Sequence, residues 1–261
     1  MVEMGFSLIG RYLTNPEQII GEIKDGNAWA IVKDAQKGVI VCAALYGLVM
    51  GLYVGGFQPL INALKMPLIL LLSLYISLPP IYITDLLVGN KIKLGQTAAL
   101  VLIGMDVTAF VLLAFLPLFL FFIITCGPHT QSVYLFVVIL NIGICGLAGV
   151  FGLISILKNY RIFYEKKGGT ASIIVGCGII GFVTPQIAWI FRPFFHSYEG
   201  FIRPPQGNFY VMLGNVMNNE PYLASTVFGL FFLFGLITAL IWAVKVSSHA
   251  DRAQYPPQKE V

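Results

Sequence analysis

Long uninterrupted apolar runs constrain this chain more than any other feature. The hydrocarbon core of a bilayer is about 30 Å thick, and roughly 20 apolar helical residues cross it. Membrane barrels instead use alternating strands of about ten residues. Six continuous apolar stretches occur, at 38–58, 66–89, 95–125, 132–157, 170–191 and 223–244. The sequence therefore predicts an all-α fold, a polytopic transmembrane helical bundle of about six spans.

The composition excludes the water-soluble classes. Apolar residues make up 57% of the chain and charged residues only 11%, whereas an ordinary soluble domain has about 25% charged residues. Such a chain cannot cover a surface that faces water. A soluble enzyme, a disordered protein and a nucleic-acid module are all excluded, and the lipid bilayer is the expected environment.

The basic residues predict the orientation. When six spans are assumed, thirteen of the 16 Lys and Arg residues fall on one side of the membrane. The other side has only Lys65, Arg192 and Arg203. By the positive-inside rule, both termini are expected in the cytoplasm.

The segment before the first span, residues 1–37, has the signals of a short amphipathic helix. Asn15 suits the N-cap, Pro16 the first helical position and Gly26 the end of the helix. The apolar side chains that share one face are Ile19, Ile20 and Ile23. We expect this helix to lie in the inner interface, with Trp29 at headgroup depth. It is then either a surface anchor or a docking site for a cytoplasmic partner.

Two stretches carry a family resemblance. At the start, Leu-Thr-Asn-Pro-Glu precedes the short amphipathic helix and a Trp, and LVGNKIKLGQTAAL follows at 87–100. Both resemble bacterial members of the Yip family, which was named for Rab-interacting membrane proteins. The resemblance covers roughly residues 10–190. It implies a five-span core and a cytoplasmic (inner) membrane, and it brings no catalytic residue.

With this core, the sequence divides into five parts. They are the cytoplasmic or interfacial segment 1–37, the Yip-like core 38–191, an outer loop 192–222, a sixth span 223–244 and a cytoplasmic tail 245–261.

A few polar residues fall at membrane depth. The helical rise places Asp106 at the midplane, with Asn141 and the Pro79–Pro80 pair at about the same depth and Asp85 nearer the cytoplasm. The prolines leave backbone acceptors free, and no Lys or Arg lies in a span at the same level. We expect Asp106 to be protonated, or to face a hydrated interior shared with Asn141. The group is either an interhelical clamp or an ion or proton site.

The outer loop 192–222 is rich in aromatic residues. It is interpreted either as an aromatic belt in the outer interface or as a contact patch for a partner. The residues predicted to make such a contact, with the end of the fifth span included, are Trp189, Arg192, Phe194, Phe195, Phe201, Arg203, Phe209 and Tyr210.

Two spans carry closely spaced glycines. The fourth has Gly143, Gly146, Gly149 and Gly152, and the fifth has Gly176, Gly178 and Gly181. Small residues let helices approach closely. These glycines are expected to pack either within the monomer or against another subunit.

No motif for chemistry is present. The cysteines and histidines lack the spacings of a metal site, and nucleotide-binding and nucleophile-elbow patterns are missing. We expect no catalytic residue, metal, cofactor or disulfide. The predicted function is a non-enzymatic structural or accessory subunit that contacts other membrane-protein subunits or a second copy of itself. The alternative is a small transporter or channel component that moves protons, cations or lipid through Asp106, Asn141 and Pro79–Pro80.

Overall fold

The computed structural model describes residues 2–126, 131–164, 170–191 and 210–211. It forms two compact units, Met1–Phe209 and Tyr210–Val261. The first contains seven described helices: α1 Val2–Thr14, α2 Pro16–Glu22, α3 Ala28–Leu52, α4 Gln58–Leu87, α5 Leu94–Thr125, α6 Gln131–Phe163 and α7 Thr170–Phe191. Five helical segments are long and apolar enough to cross a membrane. The all-α bundle is confirmed, and the predicted sixth span lies outside the described residues.

The helix α5 is the centre of the bundle. Every residue from 97 to 109 is buried, so this part of α5 is covered on all sides. Its neighbours are α3 and α6, while α3 also packs against α4, and α4 against α7. A helix that is apolar around its whole circumference is one that needs such complete coverage.

The helices match the predicted spans where no charge interrupts them. The bounds of α5 and α7 agree with 95–125 and 170–191. Elsewhere the helix continues through charged residues: α3 begins at Ala28 and α6 ends at Phe163. Lys and Arg are good helix formers, so charge ends an apolar run without ending a helix.

The location predicted for one basic residue is wrong. Lys65 was predicted to lie in a connection, but α4 begins at Gln58 and includes it. Its side chain is only 6% exposed. The second span was predicted to begin at residue 66 because the apolar run begins there, but the helix begins at Gln58.

The start of α2 confirms the predicted capping. The side chain of Asn15 accepts a hydrogen bond from the backbone N–H of Gln18 at 3.3 Å, and Pro16 is the first helical residue. A wide turn, Ile23–Asn27, then separates α2 from α3. Gly26 has φ +105° in this turn, a conformation that side chains disfavour. A single glycine thus keeps α2 and α3 from forming one continuous helix.

The apolar face of α2 is covered by the protein. Ile19, Ile20 and Ile23 are fully buried, and α2 packs against α6. These three isoleucines therefore face protein, and the placement of this helix in the inner interface stays a prediction. Trp29 is 59% exposed, and its ring lies close against the backbone of Gly95.

The predicted glycine stripe of α6 does not form one contact face. A β-carbon at Gly152 would lie 2.8 Å from the carbonyl oxygen of Gly104, so α5 and α6 touch there backbone to backbone. A β-carbon at Gly143 or Gly149 would meet none of the described residues within 4 Å. Three residues advance a helix by about 300°, so a stripe with this spacing winds around it. Gly152 therefore faces α5, and Gly143 faces away from it.

Candidate functional site

Asp106 lies in the fully covered part of α5 and faces α3. It is 2% exposed. A β-carbon at Gly38 would lie 2.9 Å from Cγ of Asp106 and 3.0 Å from its Oδ2. The carboxyl group therefore rests directly on the backbone of α3, in space that exists because residue 38 has no side chain.

The carboxyl of Asp106 receives no hydrogen bond from any of the residues that the structure describes. Its titratable neighbour is Cys42, which is also buried. Cys42 and Gly38 are one turn apart on α3 and share a face. An unpaired carboxyl group in such a place strongly favours its neutral form, because burial penalises charge.

Asn141 belongs to a different contact. It is buried, and its Oδ1 accepts a hydrogen bond from the hydroxyl of Tyr46 at 2.7 Å. The ring of Tyr46 stacks on Phe119, with 5.5 Å between the ring centroids. Within the described part of the chain, Nδ2 of Asn141 has no hydrogen-bond partner. This contact joins α3, α5 and α6.

Asp106 and Asn141 are not at one level, so the prediction of a shared depth is wrong. Asp106 contacts α3 at Gly38, and Asn141 contacts it at Tyr46. These positions are about 12 Å apart at 1.5 Å per residue. The prediction counted inward from opposite ends of two spans. Since α5 has 32 residues and α6 has 33, equal counts from opposite ends do not meet.

The proline pair lies on a partly exposed part of α4, whereas Asp106 is buried. The helix α4 continues through Pro79 and Pro80, and Pro79 is exposed while Pro80 is half-buried. The hydroxyl of Thr84 donates a hydrogen bond to the Pro80 carbonyl at 2.7 Å. This hydrogen bond lies within α4 itself.

Asp85 is held in a clamp of its own. It is fully buried, and its Oδ2 accepts a hydrogen bond from the hydroxyl of Tyr160 at 3.1 Å. Its Oδ1 accepts one from Nδ2 of Asn90 at 3.2 Å. These donors join α4 to α6 and to the turn before α5. Of the five residues predicted as one polar site, Asp106, Asn141 and Asp85 therefore make three different contacts.

A further polar contact was not predicted from the sequence. The hydroxyl of Tyr12 donates a hydrogen bond to Oδ1 of Asn159 at 2.6 Å and lies 2.7 Å from Oγ of Ser155. Nδ2 of Asn159 donates in turn to the carbonyl of Leu100 at 2.8 Å. This Tyr12 contact fastens α1 to α6 and α5. Burial raises the pKa of Tyr12 above its usual value of 10.0.

One sequence signal could have found this contact. Ser155 and Asn159 are one turn apart on α6, so two polar side chains share one face of an otherwise apolar helix. Such a pair needs a hydrogen-bonding partner at depth. What the sequence cannot identify is the partner, because Tyr12 is 147 residues from Asn159.

The residues predicted to contact a partner are mostly outside the described residues. Trp189 is half-buried near the end of α7, and Tyr210 is half-buried in the second unit. The positions that the structure does not describe are Arg192, Phe194, Phe195, Phe201, Arg203 and Phe209.

The helix α7 is the least covered of the five candidate spans. Only 11% of its most apolar window is buried, against 56% for the first span. Among the residues that the structure describes, a β-carbon at Gly178 or Gly181 would meet nothing within 4 Å. We call this side of α7, with Gly178 and Gly181, the open α7 face.

Among the residues described, no three His, Cys, Asp or Glu side chains converge as a metal site would require.

The chain was compared with models of known protein families, with curated proteins and with solved structures. No match was found in any of the three comparisons.

Proposed function

We propose that this chain is a non-enzymatic membrane protein that serves as a structural or accessory subunit of a larger membrane assembly. The observation that carries this proposal is the open α7 face. Gly178 and Gly181 lack the side chains that would keep a second helix at a distance. In lipid, helix association depends on such close packing, because apolar side chains alone provide no driving force between helices.

The use of the buried polar groups supports the same function. Tyr46 with Asn141, Tyr160 with Asp85, and the Tyr12 contact each join two or more helices. Interhelical hydrogen bonds of this kind hold a membrane bundle together. A transport path would instead bring its polar groups into one continuous row. The alternative, a transporter, has less support, since Asp106 contacts α3 at Gly38 and Asn141 contacts it at Tyr46.

The proposal includes a location. The excess of basic residues on one side favours a cytoplasmic membrane with both termini inside. The resemblance to the bacterial Yip family, carried by the segments before the first span and between the second and third spans, stays a prediction. If it holds, the assembly is one in which this chain has no catalytic part.

The experiment is native mass measurement after gentle solubilisation from the membrane, with mass spectrometry of the proteins that migrate with the chain. We expect a stable complex with at least one other subunit or with a second copy. A chain that migrates alone as a monomer would overturn the proposal.

Two variants locate the contact. Gly178→Leu with Gly181→Leu fills the open α7 face, and we expect it to dissociate the complex. Gly143→Leu is the matched control, because a β-carbon there also meets nothing but lies on α6. If the α6 variant dissociates the complex and the α7 variant does not, the contact lies elsewhere than proposed.

A further inference from the structure

We propose that Asp106, resting against the backbone of Gly38, is a proton-binding site that holds an exchangeable proton between α3 and α5. This inference is independent of the proposed role as a subunit. It concerns the one buried acidic side chain of the described residues that the hydrogen-bonded contacts do not use.

The geometry sets Asp106 apart from Asp85. Both are buried, but Asp85 accepts hydrogen bonds from Tyr160 and Asn90. Asp106 has no such donor among the described residues, and its oxygens face the bare backbone of Gly38. The two buried carboxyl groups thus differ in their hydrogen bonding.

The groups near Asp106 on α3 and α5 do not offer it a counter-charge. On α3 the group that faces it is the Cys42 thiol, which is neutral and buried. Lys37 is next to Gly38 in the chain, but its ammonium pairs with Asp34 at 2.9 Å, at the partly exposed edge of the helix. On α5 itself the Thr108 hydroxyl donates to the Gly104 carbonyl, and this contact carries no charge. A proton is therefore the cation that fits.

A metal cation fits this place poorly. Hard cations need six or more oxygen ligands, or several oxygens supplemented by water. Asp106 supplies one carboxyl group, and the surrounding helix carbonyls are occupied in the helical hydrogen bonds. Proton binding needs only the carboxyl oxygen itself, and it removes the charge that burial penalises.

Infrared spectroscopy of the whole chain in lipid bilayers tests the proposal. A protonated carboxylic acid has a carbonyl stretching band that an ionised carboxylate lacks. We expect this band at neutral pH, and we expect it to vanish in Asp106→Asn, whose neutral amide has nearly the same shape. Asp85→Asn is the matched control and should leave the band in place.

Transfer into heavy water tests exchange. The band of Asp106 should shift as deuterium replaces the proton. No band in the wild-type chain, or a band that Asp85→Asn removes, would overturn the proposal. A band that never shifts would also overturn it, since the proton would then be sealed and only structural.

A second measurement keeps the test decisive if Asp106→Asn fails to fold. Aspartate labelled with ¹³C at the side-chain carboxyl shifts the band in the wild-type chain and so assigns it to Asp. Gly38→Ala adds a further check, because a β-carbon there would overlap the carboxyl group. We expect this variant to move the band, and an unchanged band would contradict the packing on which the site depends.

Discussion

At the scale of single residues, buried polar side chains in this bundle form hydrogen bonds that join the helices. The Tyr12 contact is the clearest case, since one hydroxyl group bonds to Asn159 and lies beside Ser155. A buried polar atom that loses its partner costs more free energy than a hydrogen bond contributes on average. The value of such a contact is therefore measured by removing one partner.

Replacing Tyr12 by Phe should lower the free energy of unfolding by about 1–3 kcal/mol, because it leaves the buried Oδ1 of Asn159 without its donor. Chemical denaturation in detergent micelles measures the loss. Tyr75→Phe is the control, since Tyr75 is exposed on α4. Equal losses in the two variants would contradict the assigned role of Tyr12.

The attachment of α1 should weaken at high pH. Burial raises the pKa of Tyr12 above 10.0, so the docked helix keeps its proton where a released one loses it. The undocked state then binds fewer protons above about pH 10, and by linkage docking is fully stable below that pH and weakens above it.

A spin label at Gly10→Cys, with the four native cysteines replaced, reports this change, because residue 10 has free space around it. We expect the label to gain mobility above about pH 10. The same label combined with Tyr12→Phe should show a much smaller pH response. A response of equal size in both would assign the change to another group.

At the scale of helices, glycine position matters more than glycine number. Gly152 touches the backbone of α5 at Gly104, whereas Gly143 on the same helix has open space. The sequence predicted close packing of the fourth span correctly. It could not say which glycine makes the contact, because the stripe winds around the helix and the direction of the neighbour is not local information.

Gly152→Ala and Gly143→Ala should therefore have opposite effects. Alanine stabilises an exposed helix by roughly 0.5–1 kcal/mol relative to glycine, and Gly143→Ala should gain about this much. Gly152→Ala must push α5 and α6 apart, because its β-carbon would overlap Thr108, and we expect a net loss of about 1–3 kcal/mol. Thermal unfolding of both variants gives the comparison. A gain in stability in both variants would contradict the close contact between α5 and α6 at Gly152.

How well each helix could be predicted depends on whether its formation is determined by the local sequence or by tertiary contacts. The spans of α5 and α7 depend on apolar length and were predicted within a residue, and the Asn15 cap depends on local chemistry. The helix α1 was not predicted, since it is short and docks on residues far along the chain. Its stability comes from tertiary contacts that no local pattern records.

At the scale of the whole molecule, the positions of the helices along the bundle axis decide which residues meet. The sequence correctly singled out Asp106 and Asn141 as polar residues at depth, and both are buried. It placed them together because their depths were counted from predicted span ends. The structure separates them because α5 and α6 are much longer than a span needs, and this excess shifts one helix relative to the other.

The two ends of α4 provide a test of the orientation. Phe57 precedes α4 and is 81% exposed, while Lys91 follows it and is also exposed. In a chain without its native cysteines, Lys91→Cys should react with a membrane-impermeant thiol reagent only from the cytoplasmic side. Phe57→Cys should react only from the opposite side. The reverse pattern would invert the proposed orientation, and the proposed cytoplasmic termini with it.

The distance along the chain between Tyr12 and Asn159 also has a consequence for biosynthesis. The two residues are 147 positions apart. Ribosomes add about 5–20 residues per second, so the N-terminal helices emerge about 7–30 s before their partner on α6 exists. During that interval the apolar face of α2, with Ile19, Ile20 and Ile23, lacks the cover that α6 provides in the folded chain. We expect this face to bind the membrane surface until α6 has been synthesised.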